Sequence, residues 1–154
     1  MVLRAADASK RQLTCHTDAR SPKVQHLRLN PHVQWLFHDP EARTQLRVCA
    51  LAMVHHDDAI ARVAWAAVPL ASRLTYGTLH PPGTALTSPD EALPRAWKDR
   101  PPTPDELEPA FENFAVLVTT VDSFEWLQLR DDGRHRRASF TWTGAHWSGV
   151  WLAP

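Results

Sequence analysis

Thr17-Asp18-Ala19-Arg20-Ser21-Pro22-Lys23 joins a short strand-like stretch, Gln12 to His16, to a helix. Proline suits the first position of a helix, where its missing N–H costs nothing, and the Ser21 before it is a good N-cap residue. Val24, Leu27 and the stem of Arg28 give this helix an apolar face, and Asn30-Pro31 ends it. An open helix N-terminus offers free N–H groups and about half a positive charge. Add the Thr17 and Ser21 hydroxyls and the cations of Arg20 and Lys23, and a phosphate monoester finds donors on several sides. Each charge-assisted hydrogen bond of that kind contributes roughly 1.5–3 kcal/mol. The plain alternative is a capped helix with two solvated cations.

Working outward, Met1-Val2-Leu3-Arg4 reads as the tail of a strand, so the chain is expected to start inside an element whose upstream part is missing. Val33, Trp35 and Phe37 alternate with Gln34, Leu36 and His38, which is strand periodicity. From Thr44 to Val54, one face carries Leu46, Val48, Ala50, Ala52 and Val54, and the other Gln45, Arg47, Cys49, Leu51 and Met53. A strand with one apolar and one half-polar face is expected to border a site or an interface. Asp57-Asp58 start a helix through Ile60, Val63, Ala64 and Ala67, which stops near Pro69 and is followed by Ser72-Arg73. Most of the 13 prolines gather between Thr78 and Pro109, an irregular arm with room for one short helix at Asp105–Phe111. Strands are predicted at Phe114–Val121, Phe124–Leu129, His135–Thr143 and His146–Leu152, turning at Asp131-Asp132-Gly133 and Thr143-Gly144. The pattern predicts an α+β fold: a β-barrel, mainly antiparallel, with a few flanking helices. It forms a single domain over 1–154, with the proline-rich arm at about 78–109.

The totals narrow the partners. A 154-residue chain with 44% hydrophobic and 22% charged residues has room for one domain and a real core. A formal net charge of +0 gives no global field for nucleic acid or an anionic membrane. No run is long and apolar enough to span a bilayer, and the N-terminus lacks a secretory apolar region, so a cytoplasmic protein is expected. Cys15 and Cys49 lie in apolar strand-like stretches and are expected as buried free thiols rather than a disulfide.

The order of motifs V-L-R, T-D-x-R-S-x-K, W-L-F and R-T-Q-L-R-V, then Ser72-Arg73 and F-E-W-L…R-R…W…W-L-A-P, covers most of the chain. It resembles the pyridoxamine 5'-phosphate oxidase family of flavoproteins, in particular its bacterial branch with TDxRSxK. The resemblance implies an FMN-binding split barrel that works as a homodimer with FMN in the groove between subunits. It implies that the backbone of Val2 and Leu3 runs along the flavin ring with Arg4 beside it. Thr17, Arg20, Ser21 and Lys23 match the holders of the cofactor phosphate, and His16 precedes them where packing beside the cofactor is implied. Gln45 matches a glutamine that contacts the isoalloxazine, Ser72 lies in the segment closing over the cofactor, and Arg137 matches a basic residue reaching the flavin. Arg73 and His135 are implied as contacts of a small-molecule substrate. The activity implied is hydride transfer from that substrate to flavin, chemistry that belongs to the cofactor and asks no acid–base dyad of the protein. A non-catalytic flavin- or ligand-binding member is the alternative, and a split barrel holding another phosphorylated or deazaflavin-type cofactor is a third reading.

This chain departs from the family pattern at three places. Met1 falls inside the flavin strand, after the position of the family's upstream arginine. Arg4 stands where the true oxidases keep a lysine. The family's Arg-x-His-x-Arg appears as Gly133-Arg134-His135-Arg136-Arg137, with its first arginine replaced.

Other candidates have plainer readings. His55-His56-Asp57-Asp58 places metal-ligand types side by side, but neighbours in a strand or helix point apart, so a turn and helix cap are expected and no metal. Trp126, Trp142, Trp147 and Trp151 are expected in the barrel core or a dimer interface, the sharper alternative being a stack on flavin or substrate. Arg134 to Arg137 form one short basic turn, too little to predict a nucleic-acid partner.

Overall fold

Period-two patterning yields seven strands in the computed structural model, which describes residues 1–154. They are β1 (Leu3–Asp7), β2 (Gln12–Asp18), β3 (His32–Asp39), β4 (Thr44–His55), β5 (Phe114–Gln128), β6 (Arg136–Trp142) and β7 (Trp147–Leu152). One sheet holds them in the order β1-β2-β5-β4-β3, with β6 paired to β5 and β7 to β6. The helices are α1 (Pro22–Leu29), α2 (Ala59–Ala67), α3 (Leu70–Arg73) and α4 (Pro104–Leu107). The class is α+β, as the patterning predicts. Two boundaries differ. The first strand, expected over Met1–Arg4, runs on to Asp7. The stretch expected as two strands after Phe114 is one, because Ser123 pairs with Thr141 and the ladder runs on unbroken to Gln128.

By internal contacts the chain divides into two compact units. The first comprises Met1–Ala5, Thr14–Asn30 and Met53–Val118. Trp65 organises its core, with ring centroids 5.2 Å from Phe114 and 5.9 Å from both Tyr76 and Phe111. Ala61, Val68, Ala110 and Val116 fill the remainder. Helix α2 therefore buries Ala61 and Trp65, and Ile60 and Val63 of the expected apolar series lie exposed. An apolar nine-residue helix offers two usable faces, and the one carrying the largest ring removes most surface from water. Asp58 caps α2 by accepting from the Ala61 N–H at 2.8 Å, the role expected of this His-Asp turn. The proline-rich arm is irregular, with short 3₁₀ turns at Pro89–Ala92 and Arg95–Trp97. A Thr103–Glu106 capping box then starts α4, and Arg100 holds the Glu106 carboxyl down at about 2.

The second unit comprises Ala6–Leu13, Pro31–Ala52 and Thr119–Pro154. Strands β3 and β4 are antiparallel from His32↔Leu51 to Asp39↔Thr44, with Trp35 and Val48 on the buried side. Trp35 Nε1 donates to Thr119 Oγ1 at 3.1 Å, and that hydroxyl donates to the Leu13 carbonyl at 3.0 Å, so the buried polar groups are satisfied. The β6–β7 turn uses Gly144 at φ 98°, a conformation that favours glycine. Gly149 has no room for a side chain, since a Cβ there would lie 2.8 Å from the Phe140 ring.

Both cysteines are free, as expected, but Cys49 is only half-buried because it lies on the polar face of β4. Trp142 and Trp147 pack edge to face at 5.5 Å, whereas Trp151 is exposed and takes no part in the core.

Candidate functional site

Strand β2 ends at Asp18 and α1 starts at Pro22, so the intervening turn holds the hydroxyls and cations of the TDxRSxK segment within a few residues. Thr17 and Ser21 are buried, at 6% and 3% exposure. Lys23 Nζ donates to Ser21 Oγ at 2.6 Å and to Thr17 Oγ1 at 3.3 Å. Ser21 occupies the N-cap position, but its hydroxyl caps no backbone N–H: the Lys23 ammonium has taken it. Helix α1 carries no acidic residue in its first turn, and Lys23 has no carboxylate partner. An ammonium, two hydroxyls and a positive helix end therefore converge with nothing negative to neutralise them, which suits a phosphate dianion.

Arg20 is placed differently. Its Nε and Nη2 grip Asp18 at 3.0 and 2.7 Å. Its Nη1 and Nη2 also donate to the carbonyl and hydroxyl of Thr78 at 2.9 and 3.0 Å. Asp18 in turn accepts from the Arg20 backbone N–H at 2.8 Å. This guanidinium braces the loop and ties it to the root of the arm, with its charge already matched by a buried carboxylate.

A cavity of about 420 Å³ in the same unit brings together Arg4, His16 and Ser72, with Tyr76 and an apolar wall that includes Ala64 and Val68. Burial, then the nearby Arg4 charge, pulls His16 below its ordinary value, so the imidazole is neutral at pH 7. It packs edge to face on Phe114 at 4.9 Å. Burial pushes the Tyr76 phenol and the Cys15 thiol up, so neither is an activated nucleophile. Val2 and Leu3 lie exposed at the start of β1.

Arg73 is turned away from solvent. It donates to the carbonyls of Val68 at 3.1 Å and Trp65 at 3.0 Å and stacks 4.8 Å over the Trp65 ring, closing the end of α2. In the second unit, Gln45 is half-buried on the polar face of β4, opposite His38. Arg137 pairs with Glu125 at 2.7 Å, and His135 lies in the exposed turn before β6, where its Nδ1 accepts from the Arg130 N–H. Sequence reasoning missed Asp18, Thr78, Tyr76 and Glu125. Only Asp18 carried a local signal, an Asp two residues before an Arg in a turn.

Comparison with known proteins matches the N-terminal part of the chain to the family that the motifs resemble. The family described as pyridoxamine 5'-phosphate oxidase, FMN-binding domain, matches residues 1–56, the stretch holding Lys23, both of its hydroxyl partners, and Gln45. No curated protein matches by sequence. Among solved structures, the fold is similar to that of a pyridoxamine 5'-phosphate oxidase-related, FMN binding protein from Nostoc punctiforme PCC 73102. The TM-score is 0.78 at 22% identity, over 99% of this chain and 78% of that one. It is also similar to PhzG from Burkholderia lata 383, solved with tetrahydrophenazine-1-carboxylic acid, with a TM-score of 0.72 at 14% identity over 99% and 72% of the two chains. Residues 1–56 thus match the family described as pyridoxamine 5'-phosphate oxidase, FMN-binding domain, and the chain has the α+β split-barrel fold of these two structural neighbours.

Proposed function

We propose that this protein is an FMN-dependent oxidoreductase of the cytoplasm, working as a homodimer on a small-molecule substrate. The observation that carries the reading is the Lys23 ammonium held between two buried hydroxyls, with no carboxylate beside it. Thr17, Ser21 and Lys23 would hold the cofactor phosphate, and Arg20 would keep their loop in shape through Asp18. Gln45, on the polar face of β4, would contact the flavin ring as the resemblance implies; within the first unit, Arg4, His16 and Ser72 border a cavity of a size suited to a small molecule. When bound, FMN would accept a hydride from the substrate. The protein's part is to orient the two and exclude water. Leu36 and Met53 are large apolar side chains left exposed on β3 and β4, as expected of a face that a second subunit covers. No helix is long and apolar enough to cross a membrane.

The test is FMN titration of the purified protein, followed by anaerobic reduction of the bound flavin with candidate donors and by sedimentation of the assembly. Saturable binding to a dimer, with bleaching of the flavin band by a donor, supports the reading. A colourless protein after FMN addition and desalting overturns it. Binding without reduction by any donor leaves a flavin carrier, the non-catalytic alternative.

A further inference from the structure

The second unit contains a cavity of about 400 Å³ that uses none of the residues assigned above. Its lining includes Phe37, Leu46, Val48, Val121, Phe124 and Trp147, together with Arg11. Two aromatic pairs border it. Phe37 stacks on Trp35 with the planes 4° apart, and Phe124 stacks on Phe140 while meeting the Trp147 ring edge to face at 5.0 Å. Three aromatic rings in an otherwise aliphatic lining favour a flat, apolar occupant, since ring–ring contact adds to area burial when the planes can pack.

Arg11 supplies the polar anchor. It sits in the β1–β2 turn at φ 56°, a backbone conformation uncommon for a side chain as large as arginine. The turn is fixed from three directions: Arg11 N–H donates to the Ala8 carbonyl, its own carbonyl accepts from the Val121 N–H at 2.8 Å, and its Nη1 donates to the Val121 carbonyl at 2.6 Å. The guanidinium lies 4.3 Å over the Trp142 ring. No carboxylate pairs with it. The one acid in the lining, Asp7, is occupied by Ser9, the Lys10 backbone N–H and the Lys10 ammonium. A positioned cation without a carboxylate partner, in the lining of a largely apolar cavity with aromatic rings, is complementary to a carboxylate on a ring.

We propose that this cavity is a binding site for a small aromatic carboxylate, with the ring between the Phe37 and Phe124 sides and the carboxylate on Arg11. The site is independent of the proposed FMN site and does not rest on the flavoprotein reading.

The probe is 2-naphthoate, titrated by calorimetry with and without saturating FMN. Wild-type protein is expected to bind it with a Kd on the order of 0.1 mM, as a ligand of this size allows, and to the same extent in both titrations. Leu46→Trp, which fills the slot, abolishes binding. Arg11→Gln weakens 2-naphthoate at least tenfold and leaves the uncharged 2-naphthalenemethanol within twofold of wild type. Circular dichroism of each variant shows whether it folds. If Leu46→Trp does not fold, the charged-against-neutral comparison in Arg11→Gln decides alone. Absence of saturable binding at millimolar 2-naphthoate, displacement of the probe by FMN, or equal loss of both probes in folded Arg11→Gln overturns the proposal.

Discussion

The turn before α1 and the β-meander at the end of the chain both concentrate basic residues, and they use them in opposite ways. In the meander, Arg137 is matched by Glu125, Arg130 by Asp132, and Asp131 is taken up by Arg43, while Arg134 and Arg136 are exposed and held by no acid. Before α1, Lys23 faces two hydroxyls and no acid, while its neighbour Arg20 has a buried carboxylate of its own. A matched cation supports the fold, and an unmatched one that is held in place invites an anion. The distinction separates structural from ligand-binding charge within one short motif, where residue type alone does not.

If that division holds, removing cations matched by carboxylates, or engaged at every guanidinium nitrogen as Arg73 is by the Val68 and Trp65 carbonyls and Glu108, should cost stability, and removing Lys23 should cost ligand affinity. The largest effect is expected for Arg73→Ala, which strips the end of α2 of its donor and Trp65 of its cation. Guanidinium denaturation should show a loss of about 2–3 kcal/mol. A loss under about 0.5 kcal/mol would free Arg73 for the substrate role that the family resemblance implies. Next, Lys23→Ala should weaken FMN binding by about 2 kcal/mol in a fluorescence titration and leave the denaturation midpoint nearly unchanged. The reverse pattern would make Lys23 structural and collapse the comparison. Arg137→Gln breaks an ion pair with both partners about a third exposed, so after solvent screening its stability cost should stay below about 0.5 kcal/mol. FMN affinity lost along with Arg137 would place this cation, matched or not, at the cofactor.

The smallest effect concerns pH. His16 titrates below its ordinary 6.5 in the folded protein because burial and then Arg4 oppose its charge. The unfolded chain therefore takes up the proton first. The stability owed to a neutral His16 is complete above 6.5, declines as pH falls below it, and levels off once the folded-state value is passed. Denaturation at about pH 7.5 and about pH 5 should show a smaller difference for His16→Gln than for wild type. An unchanged difference would mean that the imidazole keeps its charge in the fold.

The sequence reveals most where one residue has one good use. Pro22 can only start a helix, Asn30-Pro31 can only stop one, and Asp58 before an apolar run caps it. Alternation made β3 and β4 readable to within a residue, including which face of β4 is polar. Where two uses compete, local pattern cannot choose. Helix α2 could bury Ile60 and Val63 or Ala61 and Trp65, and the choice fell to partners as distant in sequence as Phe111 and Phe114. Asp122-Ser123 looks like a break, yet a neighbouring strand carries β5 through it. The same limit applies to the site. The composition of TDxRSxK announces an anion, but Arg20's commitment to Asp18 and Thr78 depends on a residue 58 positions away.

That last contact alters how the arm should be expected to vary among related sequences. A proline-rich connector ordinarily accepts substitutions freely, because little of it is packed. Thr78 differs: its hydroxyl and carbonyl are both gripped by the guanidinium that shapes the α1 turn. A change from Thr78 to a residue without a hydroxyl would be felt at Asp18, so the first residue of the arm should drift in step with the turn and not with the rest of the connector.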